Sequence, residues 1–385
     1  IFFDNKDIFF LSIFTINVFF FLKYLKKKNY LNLIFFSCLC ALSTSSRIIA
    51  LLIPIAFLII LVIESANSKN IKIQFFKFLI FFITFFIVLI IHWPYLWTLN
   101  WNQILNFFQP FFYAMNPWVF FNGEFYQSKY LPYSYIPIWI IITTPIYILL
   151  FFIFGFYKHT KRVFTRFLNI RENLINQHDI WRSSNEKFDL FLLINFLLVV
   201  LLYISINPAL LSGWRHFYYL NFFMIYYCCY FLYIILFSSK KKLILSILLP
   251  LSLFTTYENY KYHPFQSVYF NNLITKKYKK SFEIDTQSLS RVHAIKELLK
   301  EDGKLNIATA SWTPLENARS LIPISEWDRL IFVGTEYDKA DFIYSNFYYE
   351  VNINYNKKYE IPENFSLYKT LVIDGTRIYS IYKKI

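Results

Sequence analysis

In the run Gly213-Trp214-Arg215-His216-Phe217-Tyr218-Tyr219, an arginine and a histidine stand side by side at the mouth of a hydrophobic stretch. Charged groups are costly at a membrane, so such a pair either binds or reacts with something, or snorkels into the headgroup layer. In the second case Trp214, Tyr218 and Tyr219 are an ordinary aromatic belt. The choice turns on whether partners for the pair can be named. His293 has no positioned partner in the sequence and reads as solvent-facing. Cys38, Cys40, Cys228 and Cys229 fall within apolar stretches, lack the spaced His or Cys partners of a zinc site, and read as buried apolar residues.

Composition decides what must hold such a pair in place. Of the 385 residues, 57% are hydrophobic and 16% charged, with a mean hydropathy of +0.39, which excludes an ordinary soluble domain. The net charge of +15 lies in short runs between apolar segments rather than on one face or arm, so a nucleic-acid partner is not expected. The 47 Phe and 31 Tyr accompany much Ile, Asn and Lys; this is a broad compositional bias, and aromatic richness says little about function. The chain begins at Ile1 without a signal-peptide pattern and reads as a fragment lacking its natural beginning.

About eight apolar stretches approach the roughly twenty residues that a spanning helix needs: 8–25, 30–45, 48–63, 76–91, 136–156, 190–206, 217–237 and 243–256. The expected fold is a polytopic α-helical membrane protein over 1–256 with a small C-terminal α/β soluble domain over 257–385. Lysine and arginine concentrate in alternate loops: Lys23 to Lys28, Lys69 to Lys77, Lys158 to Lys187, and Lys240 to Lys242. By the positive-inside rule these loops are cytoplasmic. The outward set is then residues 1–7, the Ser46-Arg47 turn, 92–135, 207–216 and everything after Thr256.

Within 92–135, residues 97–112 have the pattern of an interfacial amphipathic helix, which either seals the bundle or guides a substrate. In the tail, 285–300 carries apolar residues at helical spacing, and 304–310, 329–333, 341–347, 370–373 and 377–382 read as strands. Asp374-Gly375 joins the last two as a hairpin. The tail contains no Gly-rich phosphate loop, no nucleophile elbow and no histidine pair at metal spacing.

Several stretches, in order along the chain, resemble the bacterial branch of the membrane-embedded C-type glycosyltransferases, the superfamily that includes protein mannosyltransferases and lipid A aminoarabinose transferases. Asp4-Asn5-Lys6-Asp7 is similar to an outward Asn-Pro-Lys-Asp signature, and Ser46-Arg47-Ile48 to a small-residue-plus-arginine turn. Leu131-Pro132-Tyr133-Ser134-Tyr135 resembles a Leu-Pro-Trp-x-Tyr segment, with Thr143-Thr144-Pro145 following it. Gly213-Trp214-Arg215-His216-Phe217-Tyr218 resembles Gly-Trp-Arg-His-x-Tyr, and the runs 263–271 and 282–290 extend the similarity into the tail. The sequence departs from the pattern at Asn5 in place of proline, at Leu211 in place of tyrosine, and at Thr286-Gln287 in place of an aromatic pair.

The resemblance implies inverting transfer of a sugar from a polyprenyl-phosphate carrier to an acceptor glycan, lipid or protein, at the outer face of a bacterial inner membrane and in contact with its lipids. The tail would then be periplasmic. Such a reaction needs a carboxylate to take the acceptor proton and cations to stabilise the departing phosphate. Lys6, Arg47 and Arg215 are the implied phosphate contacts, and arginine suits this role because its fork binds two oxygens. His216 is a hydrogen-bond partner or proton donor, and His92 a further substrate-binding candidate. Asp4 and Asp7 are the carboxylate candidates for orienting the acceptor or binding a divalent cation, with the principal base expected upstream of residue 1. The rival is a transporter or flippase of lipid-linked saccharides, which should carry mid-membrane ionisable residues and internal repeats.

Overall fold

The computed structural model describes residues 5–67, 71–98, 116–169, 172–173, 177–178, 183–237 and 241–385. It divides into two compact units. The first comprises 1–114, 147–208 and 215–245, and the second 115–146, 209–214 and 246–385.

The first unit is helical. Long apolar runs bounded by polar or basic residues give α1 (Asn5–Lys27), α2 (Tyr30–Ser46), α3 (Leu52–Asn67) and α4 (Ile71–His92). Among the described residues, four helical segments are long and apolar enough to cross a membrane: Lys6–Lys27, Ile48–Ala66, Ile71–His92 and Ser184–Ile206. This is what a membrane protein requires, but it corrects the expectation of about eight spans.

The local causes of the difference are visible. Stretch 30–45 forms a helix of 17 residues. Stretch 217–237 spends its first residues on a 3₁₀ turn, Arg215–Phe217, which leaves another helix of 17 residues, Leu220–Leu236. Stretch 136–156 is broken by Pro145, which places Thr144 in extended backbone, so Tyr135–Thr143 ends there and Ile146–Leu168 starts afresh. Stretch 243–256 lies inside Lys241–Tyr262, whose polar ends and internal Pro250 dilute the apolar run. Residue 256 is interior to that helix, so no chain break marks the end of the apolar region there.

In chain order after α4 come α5 (Tyr135–Thr143), α6 (Ile146–Leu168), α7 (Ser184–Ile206), α8 (Leu220–Leu236) and α9 (Lys241–Tyr262). The first unit centres on phenylalanine rings donated one per helix: Phe21 from α1, Phe36 from α2, Phe57 from α3, Phe81 from α4 and Phe191 from α7. All five are buried. Phe21 and Phe191 have ring centroids 3.9 Å apart, and Phe57 and Phe81 4.6 Å apart. Since lipid is as apolar as these side chains, close packing of this kind, rather than escape from water, holds membrane helices together. The outward surfaces remain apolar, and this explains why Cys229 is exposed and Cys38 half-buried, contrary to the expectation that all four cysteines are buried.

The second unit contains a hairpin, β1 (Trp118–Phe121) with β2 (Glu124–Gln127), and a five-stranded mixed sheet. A short pair, β3 (Glu172–Asn173) with β4 (Gln177–His178), belongs to the first unit. The sheet strands are β5 (Leu305–Thr309), β6 (Leu330–Phe332), β7 (Phe342–Ser345), β8 (Phe365–Ile373) and β9 (Thr376–Lys384), in the order β6-β5-β7-β9-β8. β5 is parallel to both β6 and β7, and the β8–β9 hairpin adds on antiparallel. The turn of that hairpin has positive φ at both Asp374 and Gly375, 49° and 75°, as a tight primed turn requires. A short helix, α10 (Lys276–Lys279), precedes α11 (Ser290–Leu298), which buries Ala294, Ile295 and Leu298 in the same core as Ile307, Tyr344 and Tyr379. His293 on α11 is half-buried and hydrogen-bonded to the Tyr379 hydroxyl at 2.8 Å, so it is not the solvent-facing residue expected. The expected interfacial helix at 97–112 lies outside the described residues from position 99 onward.

Candidate anion-binding site

Three distant parts of the first unit meet at Asp7. The acid lies in the first turn of α1, where a negative charge suits the helix N-terminus, and is only 3% exposed. One carboxylate oxygen pairs with the Arg47 guanidinium, and the other accepts the Arg215 Nε–H at 3.0 Å.

Local sequence explains how each arginine arrives there. The hydroxyls of Ser43, Thr44, Ser45 and Ser46 turn back onto carbonyls three or four residues earlier, competing with the helix ladder where α2 ends. The next residue, Arg47, is extended at φ −149°. Arg215 opens the 3₁₀ turn that precedes α8, just after Ser212 and Gly213, both left-handed at φ 59° and 68°.

His216 completes the group. Its Nε2 is buried without a hydrogen-bond partner among the described residues. Burial, then the charges of Arg47 and Arg215, push the imidazole down to about 4. It is therefore neutral near neutrality, so before anything binds it offers a hydrogen bond rather than an acidic proton. The rings of Phe10, Phe14 and Phe217 pack around Tyr219 at centroid distances of 5.2, 5.8 and 6.4 Å, forming an aromatic floor beneath the turn.

Among Asp7, Arg47 and Arg215, one carboxylate faces two guanidiniums next to an apolar helix bundle. Such an arrangement attracts an anion whose remainder is hydrophobic. No family model, curated protein or solved structure matches this chain. The function must therefore be argued from residues alone.

Of the sequence candidates, Asp7, Arg47, Arg215 and His216 are brought together. Lys6 is exposed beside Asp7 at the start of α1. His92 is exposed at the end of α4, and no described interaction ties it to the group. Asp4 lies outside the described residues. Among the described residues no set of three or more His, Cys, Asp or Glu side chains is arranged to hold a metal ion.

Sequence reading missed a second polar group in the first unit. The carboxylate of Asp189, in α7, pairs with Arg162 at 2.8 Å, accepts the Tyr226 hydroxyl at 3.1 Å, and lies 3.4 Å from Nε2 of the fully buried His159. Asp189 adjoins the apolar run that begins at residue 190, and that adjacency was the signal available.

Within the second unit, residues 210–214 are held by three hydrogen bonds. The Gly213 N–H donates to the Tyr135 hydroxyl at 3.0 Å, the Trp214 indole donates to Thr143 Oγ1 at 3.0 Å, and the Leu210 N–H donates to the Ser128 carbonyl at 3.3 Å. Asn271 in turn ties down the end of α5, donating from Nδ2 to the Thr144 carbonyl at 2.7 Å and from its N–H to the Ile142 carbonyl at 2.8 Å.

Proposed function

We propose that Arg47, Arg215 and His216 bind the phosphate of a lipid-linked sugar, and that the protein is a membrane glycosyltransferase moving that sugar to an acceptor at the outer face of a bacterial inner membrane. The observation that carries the phosphate reading is the buried Asp7 carboxylate gripping both guanidiniums, with the buried Nε2 of the neighbouring His216 lacking a partner among the described residues. The resemblance of the Asp4–Asp7, Arg47 and Gly213–Tyr218 segments to polyprenyl-phosphate-dependent enzymes extends it to sugar transfer.

In this reading Asp7 fixes the arginines rather than acting as a free base, because both its oxygens are engaged. The acceptor's hydroxyl or amine attacks the anomeric carbon, and the bond from that carbon to the phosphate oxygen breaks. The two guanidiniums neutralise the charge that develops on the departing polyprenyl phosphate. His216 contributes a hydrogen bond to the same oxygens. The acceptor proton goes to a carboxylate outside this group.

Arg215→Ala and Arg47→Ala, tested separately, should each lower transfer from a polyprenyl-phosphate sugar by about 10- to 100-fold, the worth of a charged hydrogen bond of roughly 1.5–3 kcal/mol, with membrane integration intact. The measurement is release of free polyprenyl phosphate together with sugar on the acceptor. Unchanged turnover in both variants sinks the reading. Sugar crossing the bilayer still attached to its lipid would move the assignment to transport.

A further inference from the structure

The polar group around Asp189 fixes a guanidinium that stays open to the outside. Asp189 lies in the second turn of α7, whose span runs Ser184–Ile206, so it stands about 8 Å along the axis from the start of that span. It is 5% exposed. Its Oδ1 accepts the Tyr226 hydroxyl at 3.1 Å and lies 3.4 Å from Nε2 of the fully buried His159. The other oxygen, Oδ2, holds Nη2 of Arg162 at 2.8 Å, and Nη1 of Arg162 donates to the Tyr230 hydroxyl at 3.4 Å. Two helices, α7 and α8, therefore hold an arginine of a third, α6, yet 48% of the Arg162 side chain is exposed.

The same helix carries two more cations on that face. Lys158 and Lys161 precede Arg162 by four positions and one, a spacing that gathers all three on one side of α6. Both lysines are exposed, and neither has a hydrogen bond or ion pair among the described residues. Beside them, at helical spacing, Phe154, Tyr157, Phe164 and Leu168 are also exposed. The sequence of α6 contains no acid. On α7, Asp189 is committed to Arg162, and Glu186 lies 3.3 Å from Nε of Arg166.

Cations bordered by apolar side chains at the rim of a span suit a ligand with an anionic head and an apolar body. A soluble anion would use the cations and leave the four apolar side chains without a role. We propose that Lys158, Lys161 and Arg162 bind the phosphate headgroup of an anionic phospholipid, and that Asp189 is the positioning residue that holds Arg162 in place. The site shares no residue with the Asp7 group and does not depend on sugar transfer.

The test gives the full chain, in detergent micelles, equal amounts of phosphatidylglycerol and phosphatidylcholine, and counts the retained lipid by native mass spectrometry. Wild type should prefer phosphatidylglycerol. Lys158→Gln, Lys161→Gln and Arg162→Gln, all at exposed positions, should each lower that preference about fivefold, the effect of one Lys or Arg near an anionic surface. Asp189→Asn distinguishes a built site from general attraction between charges. It removes a negative charge, so general attraction predicts stronger retention, whereas loss of the Arg162 partner predicts weaker retention. Should Asp189→Asn not fold, Tyr230→Phe takes its place: general attraction then predicts no change, and the built site a loss of about two- to fivefold. The proposal is overturned by an unchanged preference in all three cation variants, or by retention that does not fall in whichever positioning variant is read. Displacement of phosphatidylglycerol by millimolar inorganic phosphate would make the occupant a soluble anion and overturn it equally.

Discussion

An anion arriving beside His216 would cancel the repulsion of Arg47 and Arg215, the part of its depressed value that is not due to burial. Its bound-state value then lies above the free value of about 4, so binding takes up protons, and affinity strengthens as pH falls towards that free value. A phosphodiester probe has no titration of its own in that window. Wild type should show the slope and His216→Gln should lose it, with the binding isotherm as the measurement; equal slopes in both would exclude the imidazole from the site. At this scale the sequence was half legible. Arg215 and His216 stood out because charge is rare in an apolar chain, and Arg47 because it interrupts one. Their mutual partner, Asp7, could be named as an acid but not as their clamp, since contacts across such separations leave no local signal.

Among the elements, the α6–α8 seam depends on one glycine. A Cβ built on Gly155 would lie 1.9 Å from the Tyr227 carbonyl oxygen, and backbone cannot yield as a side-chain tip can. About two turns earlier on α6, the Ile148 carbonyl accepts the thiol of Cys228, the residue after Tyr227, at 3.2 Å, so both helices approach along their backbones, as small residues permit in membranes. Gly155→Ala should therefore cost about 1–3 kcal/mol or more, lower the melting temperature in detergent, and speed maleimide labelling of the buried Cys228. Unchanged labelling would show that the seam gives way without cost. Periodicity and hydropathy located the apolar segments but not their breaks. Thr143-Thr144-Pro145 was visible as a motif, yet the reading carried a span through it. The strands of the sheet were clearer, since β-branched runs and the Asp374-Gly375 turn mark them directly, whereas the parallel pairing of β5 with both β6 and β7 is a property of chain topology.

For the whole molecule, the decisive fact is that its apolar residues face two different environments. On α4, Phe81 is buried in the phenylalanine cluster while Ile83, two positions away, is exposed, and most of that helix faces outward. Around Ile83, α4 presents Phe86, Ile87, Ile90 and Ile91 to the same exterior, an apolar face that fits lipid better than water. In lipid the two positions should fail differently. Ile83→Arg places a charge near the centre of the span, at about 2.5–3.5 kcal/mol of insertion free energy, and should reduce the carbonate-resistant membrane fraction. Phe81→Ala removes packing without changing the helix's preference for lipid, so insertion should be normal. Its stability loss should fall below the roughly 3–5 kcal/mol of an aqueous core, because the ring exchanges one apolar surrounding for another. If Ile83→Arg inserts as well as wild type and Phe81→Ala does not, the exposed face of α4 is not a lipid face, and this helix must be removed from the membrane.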